Sequence, residues 1–132
     1  LQAMNTGHEG SMSTLHANSP EDCLNRLETM VLMSGIEIPI KAVREYIENA
    51  IDIVVNIERL QDGKRKITSI VEVDDIDKTT DIIKLKEIFT FKQTGLTDKG
   101  EVDGSFSVCK TKPKVYTKIL NRGIKVVEDI FN

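Results

Sequence analysis

The chain has 132 residues, of which 39% are hydrophobic, a composition typical of one folded domain of ordinary size and not of a disordered chain. Its formal net charge of −3 argues against a protein that binds nucleic acid through a dominant basic face, so we expect no nucleic-acid partner. No apolar run approaches the length that a membrane-spanning helix needs.

Residues 1–18 predict a helix end, a loop and a short strand. Residues 1–4 are apolar and helix-competent with no initiation signal before them, so we expect the chain to be a piece of a longer protein. Glycines on both sides of His8 let the backbone bend there at little steric cost. Residues 11–15 have the mixed hydroxyl, β-branched and apolar composition of a strand.

Residues 19–50 predict two helices. Ser19 is a suitable N-cap and Pro20 a suitable first helical residue, and apolar residues recur at three- and four-residue steps up to Ser34. A second helix is predicted from Pro39 to Ala50. In these helices Met30, Met33 and Ile47 are expected to be core residues and not a ligand-binding set.

Residues 51–108 predict a β-rich region, because apolar and polar residues alternate from Ile51 and Asp62-Gly63 is a strong hairpin turn. The partner strand is predicted over residues 65–73, and residues 74–81 are predicted to be an acidic loop that is solvated instead of cation-binding. A third strand over residues 82–91 is followed by a glycine-rich hairpin and a last short strand. The hairpin glycines are Gly95, Gly100 and Gly104.

Residues 109–132 predict a short helix, from Pro113 to Asn121, followed by an apolar and acidic tail. The predicted fold is therefore α/β, with two helices, a mainly antiparallel sheet and a short C-terminal helix. Cys23 and Cys109 lack metal-ligand spacing and are interpreted as reduced thiols in a cytosolic chain, although a disulfide between them stays open.

Several blocks of this sequence are similar to one protein family, in that family's order. The chain resembles the secretion ATPase superfamily, the hexameric motors of type II and type IV secretion and of type IV and tight-adherence pili, and most closely its CpaF-like, tight-adherence branch. The resemblance covers roughly residues 1–124. The blocks are residues 4–8 and 13–19, which resemble the family's histidine box, and residues 26–33, 51–55, 59–65 and 70–73.

The resemblance implies that residues 1–132 are one fragment of a RecA-like P-loop NTPase domain. It implies ATP and Mg²⁺ as cofactors of the full-length protein, with none expected on the fragment alone. It also implies a hexameric homo-oligomer that acts on an inner-membrane platform protein of the secretion or pilus machinery. The location that follows is cytoplasmic, peripheral at the inner membrane through that machinery.

His8 and His16 are the candidate catalytic residues. By the resemblance, a histidine of this box reaches toward the terminal phosphate of a bound nucleotide, where an imidazole can orient water or stabilise charge. Gly7, Ser13 and Asn18 flank them as candidate nucleotide-binding residues. Two other interpretations stay open: each histidine only fixes a loop or strand end, or His8, Glu9 and His16 bind a metal ion, although their spacing is unlike that of H-E-x-x-H.

The sequence contains no phosphate-binding loop of the form G-x-x-x-x-G-K-[ST], so this chain alone is expected to be inactive. Arg26, Arg44 and Arg59 are either intersubunit arginine fingers or, as we favour, surface or ion-pair residues. Two functions remain: the C-terminal portion of a secretion or pilus-assembly motor ATPase, and a non-catalytic interaction module that binds secretion-motor subunits.

Overall fold

The computed structural model describes residues 2–7, 10–109 and 112–131. These residues form three helices, then the four strands of a β-sheet, and then a further α-helix and a 3₁₀ helix. The elements are α1 (Gln2–Asn5), α2 (Pro20–Met33), α3 (Ile40–Ala50), β1 (Ile53–Arg59), β2 (Arg65–Ile76), β3 (Ile83–Leu96), β4 (Val102–Val108), α4 (Lys114–Asn121) and a 3₁₀ helix (Glu128–Phe131).

Local sequence signals account for the bounds of α2. The Ser19 hydroxyl accepts a hydrogen bond from the N–H of Asp22 at 3.1 Å, which caps the helix, and Pro20 occupies its first position. Beyond its C-terminal end, Gly35 has a φ of +77°, a conformation that glycine adopts without strain. Both helices after the N-terminal loop are therefore confirmed where periodicity and capping predicted them.

The four strands form one sheet in the order β1-β2-β3-β4, in which β1 pairs antiparallel with β2 and β3 with β4. The first hairpin turns at Asp62-Gly63, where Gly63 has a φ of +77° and Asp62 Oδ1 accepts from the Lys64 N–H at 3.0 Å. The predicted α/β fold with an antiparallel sheet is thus confirmed.

The chain divides into two compact units. The first consists of Leu1–Asp52 and Val73–Leu85, and in it α3 packs against both α1 and α2. Apolar side chains fill its interior, and the buried members are Leu24, Val43, Ile47, Val73 and Ile83.

The second unit consists of Ile53–Glu72 and Lys86–Asn132. Its core is a cluster of Ile88, Tyr116 and Phe131, in which the Tyr116 and Phe131 rings meet edge to face with centroids 5.7 Å apart. Further apolar side chains pack around this cluster, namely Ile53, Ile70, Phe89 and Val126.

Two predictions about the first unit were wrong. Residues 11–15 form no strand, because in the described part of the chain no strand pairs with them and Met12 is 96% exposed. Met30 and Met33 are exposed, not core, whereas Ile47 is fully buried as expected. α2 instead buries Glu28 against α3, so helical periodicity located the helix but assigned two of its side chains to the wrong environment.

The strand ends also differ from the prediction. Asp74 and Asp75 belong to β2, so the acidic loop is shorter than expected. Gly95 lies in β3 and Gly104 in β4, and only Gly100, with a φ of +74°, lies in the turn. Hydrogen bonds to a neighbouring strand keep these Asp and Gly residues in β-strands, although their individual propensities favour turns. No helix of the described residues is long and apolar enough to cross a bilayer.

Candidate functional site

The candidate site is the segment between α1 and α2, residues 6–18, whose described residues, 6–7 and 10–18, form no helix or strand. The backbone of Gly7 has a φ of +92° and that of Gly10 a φ of +84°, so both glycines occupy the left-handed region that side chains disfavour. His8 and Glu9, between them, lie outside the described residues. The nucleotide role predicted for His8 therefore stays a prediction, as does the metal site.

Hydrogen bonds fix both ends of this segment to helices of the first unit. At its start the Asn5 amide donates from Nδ2 to the carbonyl of Tyr46 in α3 at 3.0 Å. At its end the Ser19 carbonyl accepts from the Cys23 N–H at 3.0 Å, in addition to the hydroxyl cap of α2. The segment is consequently a loop with fixed ends, the arrangement in which exposed polar side chains can meet a ligand.

The polar residues predicted from the sequence are exposed along this loop. Ser13, His16 and Asn18 are all exposed, while Leu15 and Ala17 are half-buried and lie between them. A hydroxyl, an imidazole and an amide can each bind phosphate oxygens or water. The structure leaves these three groups accessible to a ligand.

Two depressions in the surface of the first unit lie away from this loop. One, of about 540 Å³, is lined mainly by charged residues of α3, of the end of β2 and of the segment that follows β2. The other, of about 200 Å³, lies beside α2 and is lined by Glu28 and Arg44 among others. Neither is lined by Ser13, His16 or Asn18. Within the described ranges no group of His, Cys, Asp and Glu residues is arranged to hold a metal ion, and both cysteines are free thiols.

Arg44 connects α2, α3 and the β2–β3 loop. Its Nε donates to Glu28 Oε1 at 2.9 Å and its Nη2 to Glu28 Oε2 at 3.2 Å, a two-point contact. Its Nη1 donates to the carbonyl of Asp81 at 3.0 Å. The hydrogen bond to Glu28 raises the pKa of Arg44. Arg44 therefore forms an ion pair, the interpretation that we favoured over an arginine finger. The Nε of Arg59 donates to the carbonyl of Gly63 in the first hairpin turn.

The sequence did not lead us to expect that hydrogen bonds of Asp77 would hold the loop between β2 and β3 in one conformation. Asp77 Oδ1 accepts from the N–H groups of Thr79 and Thr80 at 2.8 and 3.2 Å, and Asp77 Oδ2 accepts from Lys84 Nζ at 2.9 Å. The Lys84 contact and these backbone donors lower the pKa of Asp77 to about 2. An aspartate followed two and three residues later by threonines is the signal that could have predicted this turn.

Residues 1–103 match the family described as Type II/IV secretion system protein. The chain belongs to the type II/IV secretion system protein family. The matched region contains the loop with both histidines, α2, α3 and the first three strands, whereas α4 and the residues after it lie outside the match.

Several individual proteins resemble the chain. It is 37% identical over 65 residues to "Conjugal transfer protein TrbB" of Rhizobium radiobacter, an alignment that covers 49% of the chain and 19% of that protein. It is 38% identical over 74 residues to "Type IV secretion system protein PtlH" of Bordetella pertussis, an alignment that covers 53% of the chain and 22% of that protein. The "Putative conjugal transfer protein Rv3659c" of Mycobacterium tuberculosis is 31% identical over 70 residues, an alignment that covers 53% of the chain and 19% of that protein.

The alignments span about a fifth of the length of these relatives. Membership of the type II/IV secretion family therefore rests on the long family match, and the printed name of PtlH agrees with it.

Proposed function

We propose that the chain is the C-terminal portion of a secretion or pilus-assembly motor ATPase that couples ATP hydrolysis to protein export or pilus assembly. The observation that carries this proposal is the family match over residues 1–103, which includes the loop with both histidines. In this proposal the chain is part of a RecA-like domain. Because the sequence contains no phosphate-binding loop, the rest of the full-length protein would hold ATP and Mg²⁺.

The loop between α1 and α2 would then meet the nucleotide from this chain's side. His16, which is exposed, and His8 would orient water or stabilise charge at the terminal phosphate, with Gly7, Ser13 and Asn18 nearby. The fixed loop ends at Asn5 and Ser19 support the proposal, because catalytic groups act best when their position is set before the substrate binds.

The full-length protein would work as a homo-oligomer, a hexamer by resemblance to secretion motors, on a platform protein of the inner membrane. Its location would be cytoplasmic and peripheral to that membrane. The tight-adherence branch stays a prediction, since the similar proteins reported above are named for conjugal transfer and type IV secretion.

A second candidate function is a non-catalytic module that binds secretion-motor subunits. A full-length protein without a phosphate-binding loop would favour it, because phosphoryl transfer depends on such a loop, its lysine and magnesium. The encoding reading frame separates the two candidates: a G-x-x-x-x-G-K-[ST] motif before Leu1 supports the motor ATPase, and a frame without one supports the module.

The decisive experiment measures ATP turnover and melting temperature of His8→Ala and His16→Ala in the full-length oligomer. We expect turnover to fall on the order of a hundredfold, because each histidine would supply a polar group to the reaction. The melting temperature should change little for His16→Ala, since His16 is exposed. Met12→Ala, in the same loop and 96% exposed, is the matched control and should keep normal turnover. Near-normal turnover of both histidine variants would refute the role.

A complementary measurement uses the chain alone. We expect no phosphate release from MgATP above the buffer blank and no heat of ATP binding in calorimetry at micromolar ATP. Turnover that survives repurification would show that the chain carries a nucleotide site of its own.

A further inference from the structure

The strand β4 forms one edge of the sheet and carries exposed side chains. The strand order ends at β4, so within the described residues no strand pairs with its outer side. Asp103, Ser105, Phe106 and Val108 are all exposed. A strand in this position presents backbone N–H and C=O groups that can pair with a further strand.

The register of the β3–β4 pair shows which backbone groups of β4 point outward. The Cys109 N–H donates to the Ile88 carbonyl at 2.8 Å. Hydrogen-bonded and non-hydrogen-bonded pairs alternate along an antiparallel ladder, and this alternation makes Phe91 and Phe106, which lie opposite each other, a non-hydrogen-bonded pair. The N–H and C=O of Phe106 therefore point away from β3, as do those of Val108.

The side chain of Phe106 is 54% exposed, a high fraction for an aromatic ring. Its ring meets that of Phe91 edge to face, with centroids 5.4 Å apart. The Phe91 ring lies over Gly104, since a Cβ atom at this glycine would be 2.6 Å from Phe91 Cζ. An aromatic surface therefore reaches the open edge of the sheet at Phe106.

The opposite edge strand, β1, carries features that disfavour pairing. Its register with β2 shifts between Asn56 and Ile57, and it ends in Glu58 and Arg59. Bulges and charges are the devices that protect an edge strand from pairing with another chain. In contrast, residues Gly104–Val108 of β4 include no charged residue, and their register with β3 is regular.

We propose that β4 pairs antiparallel with β4 of a second copy of this chain, about a two-fold axis at Phe106. The sequence is self-complementary about this residue, because Ser105 would lie opposite the partner's Ser107 and Gly104 opposite the partner's Val108. The pairing brings no like charges together over these residues. It also places the two copies of Phe106 side by side, which extends the contact between Phe91 and Phe106 across both sheets.

This contact differs from the contacts of the proposed hexamer. A two-fold contact uses the same surface on both copies and closes with two of them, whereas a ring of identical subunits needs two different surfaces on each subunit. The pairing requires no nucleotide and does not involve the loop with the two histidines. It can therefore hold or fail independently of the proposed motor function.

Sedimentation of this chain tests the pairing. We expect the mass to rise toward that of a dimer between about 10 µM and about 1 mM, because a single strand pair forms a smaller interface than a stable complex. Phe106→Lys and Phe106→Glu should each weaken association on the order of tenfold, since like charges then lie opposite each other. A mixture of these two variants should associate again, which also shows that both fold. Val55→Lys, at a position of β1 that is 48% exposed, should associate like the unchanged chain.

Disulfide cross-linking tests the register. In a chain that carries Cys23→Ser and Cys109→Ser, one variant adds Ser105→Cys and the other adds Ser107→Cys. The two positions form a non-hydrogen-bonded pair across the proposed contact, whose Cα atoms lie within the range of a disulfide. Oxidation should yield a linked dimer from the mixture of the two variants and little from either variant alone.

Several outcomes would overturn the proposal. They are a monomer at all concentrations, an association that Val55→Lys weakens as much as Phe106→Lys does, and cross-links that form equally in either cysteine variant alone. A chain that stays monomeric but binds a synthetic peptide of residues 102–109 would also overturn it, and would assign the edge of β4 to an extended segment of another protein.

Discussion

The Oε1 atom of Glu72 in β2 accepts a hydrogen bond from the backbone N–H of Val115, at the start of α4, at 3.1 Å. Glu72 is only 2% exposed, and within the described residues its Oε2 atom has no hydrogen-bond partner. The N-terminal N–H groups of a helix lack partners inside the helix, so this carboxylate satisfies one of them from a residue 43 positions earlier. Glu72 of β2 thereby fixes the position of the N-terminal end of α4.

Replacing Glu72 tests this contact. Glu72→Leu should lower the free energy of unfolding by about 1–3 kcal/mol, because the Val115 N–H loses its acceptor at a partly buried position. Glu72→Gln keeps an amide oxygen for that bond and should cost less. Urea unfolding at pH 7 measures both, with the exposed Glu87→Gln as control. A Glu72→Leu variant that matches the unchanged chain, with unaltered hydrogen exchange at Val115, would contradict the prediction.

The second prediction concerns the Glu28–Arg44 pair, whose side chains are 12% and 23% exposed. Arg44→Met should destabilise the chain by about 2–4 kcal/mol, because it leaves the Glu28 charge nearly buried without a partner. Removing both charges with Glu28→Leu/Arg44→Met should recover much of that loss.

The control for this pair is Lys41→Met, which breaks the exposed ion pair between Lys41 and Asp81. It should cost less than about 1 kcal/mol, since water screens exposed pairs. Thermal unfolding that shows equal losses for Arg44→Met and Lys41→Met would refute the importance of the buried pair.

The third prediction concerns pH. The pKa of Asp77 is lowered to about 2 in the folded chain, below its ordinary value, so its ionised form stabilises the fold. That contribution is present above the unfolded pKa of about 3.9 and is lost as the pH falls toward the folded value. Asp77→Asn should be less stable than the unchanged chain at pH 7, and the difference should shrink from about pH 4 toward pH 2.

Melting temperatures across that pH range check the Asp77 prediction. Asp98→Asn, at an exposed turn position, is the control and should follow the unchanged chain. If Asp77→Asn lowered the melting temperature by the same amount at every pH, Asp77 would act through packing and not through its charge.

The fourth prediction concerns the two strand glycines. A Cβ atom at Gly104 would lie 2.5 Å from the Lys92 carbonyl oxygen and 2.6 Å from Phe91 Cζ. Gly104→Ala should therefore destabilise the chain by about 1–3 kcal/mol, because a backbone atom must move. Gly95→Ala meets nothing within 4 Å and should change stability by less than about 0.5 kcal/mol. Equal chemical denaturation midpoints for the two variants would refute the close approach.

The sequence by itself determined the elements that local interactions specify. The Ser19 cap, the Pro20 start and Gly35 define α2, and the Asp62-Gly63 turn defines the first hairpin, because each depends on residues within a few positions of one another. The position of the loop with the two histidines was also predictable, since it lies between a helix end and a helix cap. The catalytic roles of His8 and His16 stay predictions.

Only the tertiary structure decided which side chains are buried and what they contact. Periodicity assigned Met30 and Met33 to the core, yet the structure exposes them and buries Glu28 against Arg44. Residues 11–15 had a strand composition but found no neighbouring strand to pair with in the described chain. The reason is physical: caps and turns are completed by adjacent residues, whereas burial, ion pairs and strand pairing depend on residues that are distant in sequence and meet only on folding.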